Sequence, residues 1–297
     1  MDSVQIRPLT TLDEMRVAVE LQRVYWGDDL ESVIPAHMLL SLANFGGHVL
    51  AALDGENIVG LLVGFLGTST QETNRPAMAN LQLVSKRMVV LPPYRNRGIG
   101  YRLKLAQRDL AVKQGIRLVT WTYDPLMASN AHLNIRRLGG ISHTYHENYY
   151  GTGEEGGLTI AGSSDRLFVE WWVTNRRVVE RINGKRAGLS LKQYLEADTQ
   201  ILNPSTTETG GRPWPSEKLL TAAGSLALVE IPVDYVGIAR SDLMLAQAWR
   251  AHTRELFGRL LTKGYLITDF VHEPYEGRER AFYVFSHGGS QFDFSQN

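Results

Sequence analysis

Residues 87–103, RMVVLPPYRNRGIGYRL, constrain the fold more than any other stretch: an apolar strand runs through a Pro-Pro stop into a basic, glycine-containing loop that opens onto a helix. Pro92 and Pro93 cannot continue a hydrogen-bonded ladder, so regular pairing should end at Met88, Val89 and Val90. Beyond Gly98, the residues Ile99, Leu103, Ala106 and Leu110 recur at spacings of four, three and four, with Gly115 as a C-terminal stop, which predicts an amphipathic helix. The first N–H groups of such a helix have no intrahelical acceptor and sit at the positive end of the aligned peptide dipoles. Gly98 and Gly100 let the backbone approach an anion closely, while Arg95 and Arg97 add fork-shaped cationic donors. The junction therefore suits a diphosphate.

Residue detail separates the families that use such a junction. A P-loop needs Gly-Lys followed by Ser or Thr, and here Tyr101 and Arg102 follow Gly100. A dinucleotide fingerprint needs a third glycine where this chain has Leu103, yet Asp124 does end the next predicted strand, IRLVTWTY, so an NAD-binding oxidoreductase stays open as an alternative. VLPPYRNRGIG resembles the Val-x-Pro-x-x-Arg-x-x-Gly-x-Gly pattern of the GNAT superfamily of acyl-CoA-dependent N-acyltransferases, with Val90, Pro92, Arg95, Gly98 and Gly100 at the matching positions.

The flanking elements follow the order of that family. A strand at Val4–Arg7 leads to a helix over about 11–25 and a helical segment near 35–44; the strands HVLAAL and IVGLLVGFL follow, joined by an Asp54-Gly55 hairpin turn. The strand MANLQLVSKRMVVL, the helix after Gly98, IRLVTWTY, a short helix near 129–138 and strands near 141–145 and 167–173 complete the series. The resemblance thus implies a mixed α/β fold with a mostly antiparallel central sheet over residues 1–175, an acyl-CoA-binding domain. Residues 176–297 form a C-terminal αβ extension, with a linker near 203–218 and a β-α-β-β unit near 226–287. In its long helix, His252 shares a stripe with Leu245, Trp249, Leu256 and Leu260 and reads as a satisfied core histidine.

Composition sets outer limits. With 31 basic and 31 acidic residues, no global field draws the chain to nucleic acid or to an anionic membrane. The absence of cysteine excludes disulfides, thiolate-ligated metal and a thiol nucleophile, so an acyl group must pass directly from donor to acceptor or through an oxygen nucleophile, for which the sequence shows no motif. The longest apolar run, IVGLLVGFLG, is too short to span a bilayer and the first residues carry no signal-peptide core, so a cytoplasmic protein is expected. No metal-ligand motif is present, and oligomeric state is not readable.

The resemblance also implies roles. The cosubstrate is acetyl-CoA or another acyl-CoA. Its pantetheine arm lies like an added strand beside Met88, Val89 and Val90. Its pyrophosphate sits on the N–H groups of Arg95, Asn96, Arg97, Gly98, Ile99, Gly100 and Tyr101. Asn130 resembles the family asparagine that contacts the cofactor arm, and reads equally well as a helix N-cap. The acceptor is a primary amine of a small molecule, in which amino acids are included. Amine attack on a thioester needs a base for the ammonium proton and a backbone N–H near Val89 or Val90 for the oxyanion. Many family members place an acidic tyrosine three residues before a Leu-Gly pair, where this chain has Ile135. Tyr145 is the first substitute and His132 the second, with Asn134, His143, His146, Tyr149 and Tyr150 nearby in sequence. Acceptor contacts fall to Trp26, Asp28, Asp29, Glu154, Glu155, Asp165 and Arg166. A non-catalytic acyl-CoA-binding or regulatory module is the alternative from another functional class.

Overall fold

Thr11 starts the first helix, α1 (Leu12–Trp26), with a reciprocal capping box: its hydroxyl accepts from the Glu14 N–H, and the Glu14 carboxylate accepts from the Thr11 N–H. The helix follows strand β1 (Gln5–Pro8) and is succeeded by α2 (Ala36–Asn44), β2 (His48–Asp54), β3 (Asn57–Thr68), β4 (Leu81–Val90), α3 (Ile99–Lys113) and β5 (Leu118–Tyr123). The structure, a computed structural model, describes residues 4–27, 33–68, 76–153, 158–207 and 211–288. It divides into two compact units, the first running through Trp121 and including Trp172–Thr174.

In the first unit β1, β2, β3 and β4 pair antiparallel in that order, and β4 pairs parallel with β5. The strands β2 and β3 read as near-continuous apolar runs because both faces are covered. Val49, Ala51, Leu61 and Val63 pack against Met15, Ala18 and Leu39 on one side. Leu50, Ala52, Val59 and Leu62 meet Ile99 and Leu103 of α3 on the other. The expected hairpin closes with Asp54 opposite Asn57.

Two irregularities shape β4. Arg87 lies opposite Val63 and Ser85 opposite Gly64, so Lys86 is an extra residue, a β-bulge. On its other edge β4 pairs with β5 only at Leu83–Val119 and Val84–Thr120. Beyond Val84 the edge of β4 that faces β5 is not laddered, and the two strands fork.

The second unit contains α4 (Ala128–Ala131), which runs into a π-helical turn over His132–Arg137. There follow β6 (Ile141–His146), β7 (Arg166–Trp172), α5 (Arg176–Ile182), α6 (Leu191–Glu196), β8 (Gln200–Ile201), β9 (Thr206–Thr207) and β10 (Pro213–Trp214). The chain continues through β11 (Leu226–Ile231), α7 (Tyr235–Ser241), α8 (Leu243–Thr262), β12 (Tyr265–Tyr275) and β13 (Arg278–His287). The sheet order is β7-β6-β12-β13-β11-β8, with the C-terminal hairpin β12–β13 meeting β6 at Ile267–Ser142. Over the stretch expected as a β-α-β-β unit the chain runs β11, α7, α8, β12 and β13, with a second helix before the long one. The stretch expected as a linker holds the short β9–β10 ladder, pinned where the Trp249 indole N–H donates to the Pro213 carbonyl at 2.8 Å. His252 is satisfied by Asn203 at 2.9 Å.

Candidate functional site

The loop expected to bind a diphosphate is held from both ends. The Tyr94 hydroxyl donates to Asp54 at 2.8 Å and the Arg95 Nε donates to the Val90 carbonyl at 3.1 Å, tying the Pro-Pro turn to the β2–β3 hairpin and to the end of β4. Asn96 and Gly98 take positive φ, 61° and 77°, which turns the chain into α3. Gly98 is the N-cap and brings no side-chain hydrogen bond to the first turn, so the N–H groups of Ile99, Gly100 and Tyr101 are left without side-chain capping from it. A Cβ at Gly98 would meet nothing within 4 Å, so glycine is required there by its backbone angle and not by crowding. Arg95 and Arg97 are exposed, lying over the rings of Tyr25 and Tyr94. Cationic donors, an uncapped helix start and a glycine surface fit a CoA pyrophosphate.

The edge of β4 supplies the second half of this site. Leu91 donates its N–H to Val59 on the β3 side at 2.9 Å. Because successive peptide groups of a strand alternate in direction, Val89 also turns its main chain to β3, and Met88 and Val90 present theirs to the open edge. The Val89 side chain is buried in the α1–α2 core. Of the three β4 residues expected to line the arm, Val89 therefore turns its main chain to β3, and Met88 and Val90 are the two whose N–H groups face the fork.

Behind the fork lies a polar chain that the sequence reading missed. Lys104 of α3 is 2% exposed; its Nζ lies 2.8 Å from Ser85 Oγ, 3.3 Å from Gln107 Oε1 and 3.5 Å from the centre of the Trp121 ring. The Gln107 amide nitrogen is 2.8 Å from His48 Nε2. A Cβ at Gly64 would fall 2.5 Å from the His48 ring, so glycine there makes room for the pair. Burial, with no carboxylate in contact, holds the Lys104 amine well below its ordinary range. The Trp121 face favours the ammonium by about 2 kcal/mol or more, against the several kcal/mol lost by desolvating the ion. Burial first, and then the Lys104 charge, lower His48 to about 4. With the Gln107 amide donating to it, the His48 Nε2 acts as an acceptor in a neutral ring. The signal was present in α3: its buried residues are Ile99, Leu103, Lys104, Gln107 and Ala111, a stripe rotated toward two polar residues and away from Ala106 and Leu110.

The catalytic candidates lie in the second unit. Tyr145 on β6 donates its hydroxyl to Asp165 Oδ2 at 2.5 Å. Burial, and then the Asp165 charge, push the phenol well above its ordinary range. Asp165 is fully buried and also accepts from Ser163 at 2.8 Å, from the Asn148 N–H at 2.9 Å and from Arg254 at 2.8 and 3.0 Å. Neither group is placed to give up or attract a proton easily; the pair ties β6 to α8. His132 opens the π-helical turn, and burial, followed by the charges of Arg137 and Arg136, lowers its affinity for a proton. Ile135 is fully buried at the position of the family tyrosine. Asn130 lies inside α4, whose N-cap is Met127, so the N-cap role is not its own.

Asp124, the residue that kept a dinucleotide site open, is bound on both oxygens by Arg250 at 2.8 and 2.6 Å and accepts from the Leu126 N–H. It has no oxygen to offer a ribose. Together with the antiparallel β1–β4 sheet, this removes the doubly wound dinucleotide reading. Arg166 has its neighbouring acid, Asp124, at 4.0 Å, and stacks on Tyr150. In the first unit Trp26 is half-buried, with the Arg87 guanidinium 4.5 Å from its ring centre. Asp28, Asp29, Glu154 and Glu155 lie outside the described residues.

Comparison with known proteins agrees with the fold and the loop. Residues 16–133 match the family model for the Acetyltransferase (GNAT) family. The chain carries a GNAT acetyltransferase domain. No curated protein matches it significantly. Among solved structures, the ribosomal-protein-S18-alanine N-acetyltransferase of Escherichia coli is similar at 14% identity and a TM-score of 0.45, over 58% of this chain and 95% of that one. A GNAT family acetyltransferase from Elizabethkingia anophelis with acetyl-CoA bound gives 15% and 0.42, over 58% and 99%. An aminoglycoside acetyltransferase from an uncultured soil metagenomic sample, in complex with sisomicin, gives 20% and 0.35, over 41% and 78%. The GNAT domain makes the chain an acyltransferase, and its mixed α/β, mostly antiparallel sheet is the fold the family implies. Among the described residues no cluster of His, Asp and Glu could hold a metal ion, and no helix is long and apolar enough to cross a membrane.

Proposed function

We propose that this protein moves an acyl group directly from a CoA thioester to a primary amine of a small molecule, amino acids included. The observation that carries the reading is the junction of an open strand edge with an uncapped, glycine-started helix: the edge of β4 that faces β5 is unladdered beyond Val84, and α3 begins at a left-handed Gly98 beside Arg95 and Arg97. The Arg95 N–H, expected in this set, is taken by the Pro92 carbonyl at 3.2 Å; the N–H groups of Asn96, Arg97, Gly98, Ile99, Gly100 and Tyr101 would take the pyrophosphate beside the Arg95 side chain, and the main chains of Met88 and Val90 would take the arm. The bound thioester supplies an activated acyl carbon. The chain orients it and offers the Val90 N–H to developing negative charge on the carbonyl oxygen.

Asn130 is carried as a proposed contact to the arm, and residues 1–175 as the proposed extent of the acyl-CoA-binding region, on the family pattern alone. A cytoplasmic setting is likewise part of the proposal. The non-catalytic alternative draws on one observation, the buried Ile135 where the family tyrosine acts.

Thermal unfolding with acetyl-CoA, succinyl-CoA, free CoA, NADH and ATP in parallel tests the binding half. A ligand at 100 times its dissociation constant adds about 2.7 kcal/mol to the folded state, an easily read shift. CoA compounds should raise the melting temperature, and NADH should not. CoA release on adding a panel of amines and amino acids to enzyme and acetyl-CoA then separates the readings: release with at least one acceptor is expected, and binding without any release would leave the non-catalytic module.

A further inference from the structure

We propose that Ser85 and Lys104 form a hydroxyl–amine dyad that takes the proton from the attacking amine, so that the proton acceptor of this acyltransferase lies on α3, behind the fork of β4 and β5. The inference rests on the acyl-transfer reading above and assigns to that reaction the base it lacks.

The placement comes from the sheet. Anything laid along the open edge of β4 from Val90 toward the N-terminus must stop where β5 closes on β4, at Val84–Thr120. Ser85 is the first residue beyond that closure, and the bulge at Lys86 turns its side chain toward α3 and the Lys104 amine at 2.8 Å. The reacting end of a bound arm, and the amine that meets it, are thus delivered to the neighbourhood of Ser85.

The chemistry of Lys104 follows from its surroundings. The titratable and charged groups facing it are His48 on β2, Arg108 one turn further along α3, and Lys86, exposed beside Ser85 on β4; β3 presents Gly64, and β5 presents Trp121. Arg108 donates to the Val173 carbonyl, and among the described residues no carboxylate bonds to Lys104. The 2.8 Å Nζ–Oγ and 3.3 Å Nζ–Oε1 contacts suit a free amine, which keeps its donation to Gln107 and accepts from Ser85 once the hydroxyl proton turns toward Nζ. Buried lysines of this kind serve as general bases, and a serine joined to one is a known proton-transfer pair.

The step balances. The acceptor nitrogen forms its bond to the acyl carbon and the carbon–sulfur bond breaks. The nitrogen's proton passes to Ser85 Oγ as the Ser85 hydroxyl proton passes to Lys104 Nζ. Lys104, now an ammonium, returns that proton to the departing thiolate, which leaves as the thiol and restores the free amine.

The test joins a spectroscopic and a kinetic readout. Carbon-13 labelling of lysine side chains, with the Lys104 resonance assigned by its loss in Lys104→Met, should show Lys104 titrating well below the other lysines in the protein without ligand. If it titrates with the others, the dyad is wrong while the acyl-transfer reading stands. With acetyl-CoA and the best amine of the release screen, Lys104→Met and Ser85→Ala should each lower kcat about 100-fold or more while the KM for acetyl-CoA stays within about twofold. Lys104→Met should also abolish the fall in kcat/KM as pH drops through the Lys104 titration. Lys104→Arg should not restore turnover, because a guanidinium cannot give up its proton. The apolar methionine fits the pocket, so the melting temperature should not fall. Wild-type rates and pH profile in either Lys104→Met or Ser85→Ala overturn the proposal. A wild-type protein that no CoA compound stabilises overturns instead the reading on which it rests.

Discussion

Replacing Asp124 by asparagine should strongly destabilise the second unit. Asp124 and Arg250 are 7% and 4% exposed, and both carboxylate oxygens accept guanidinium N–H groups, at 2.8 and 2.6 Å. Burial pulls the Arg250 guanidinium down, but the Asp124 charge and its hydrogen bonds outweigh that and hold it above its ordinary range. The asparagine keeps the shape and loses the charge, which leaves Arg250 buried without a counter-ion beside Arg166, itself 4.0 Å from Asp124. Breaking a buried pair from one side costs about 3–5 kcal/mol. At about 2–4 °C per kcal/mol for a body of this size, the melting temperature should fall by about 10 °C. Removing both charges, as in Asp124→Leu with Arg250→Met, should cost less than Asp124→Asn alone, because the buried Arg250 charge goes with its partner. Urea unfolding followed by circular dichroism, run on wild type, both single variants and the double variant, closes the cycle. An Asp124→Asn protein within 1 kcal/mol of wild type, or a double variant worse than both singles, would refute the argument.

The first unit was legible because its elements carry local signals that agree with each other. Pro92 and Pro93 end β4, the Asp54-Gly55 turn closes β2 on β3, and Thr11 with Glu14 writes the start of α1 in four residues. The buried centre was legible only in part, since periodicity counts apolar residues and Lys104 and Gln107 sit on the inward stripe of α3 without being apolar. Only three-dimensional placement of Ser85, His48 and Gly64 shows why polar atoms are tolerated there. In the second unit, α5 and α6 went unread because they are seven and six residues long, too short for a periodic signal, and are held by contacts distant in sequence. Arg181 of α5 pairs with Asp269 of β12, and the Leu191 N–H at the start of α6 donates to Glu273. The Asp124–Arg250 pair, 126 positions apart, has no sequence signature at all.

Three further outcomes are expected. His48 is neutral in the folded protein, with its proton affinity lowered to about 4 from an ordinary 6.5, so the unfolded chain binds more protons between those values; stability should fall by about 3 kcal/mol as pH drops through that window. Lys104 acts in the same direction, and His48→Gln should flatten that part of the acid limb in urea titrations from pH 7 to pH 4. Gly98→Ala should cost about 1–2 kcal/mol through its 77° φ alone, since its Cβ meets no atom, and should remove the CoA-induced rise in melting temperature; a normal rise would place the pyrophosphate elsewhere. Tyr145→Phe decides between a catalytic and a structural phenol. The hydroxyl proton is donated to a buried carboxylate that Arg254, Ser163 and the Asn148 N–H also bind, so its loss should cost about 1.5–3 kcal/mol of stability. Turnover should stay within about threefold of wild type, because an acid whose proton is held by burial and by Asp165 is poorly matched to a thiolate leaving group. A variant that keeps its melting temperature and loses turnover about 100-fold would reverse the assignment and make Tyr145 the acid that Ile135 cannot be.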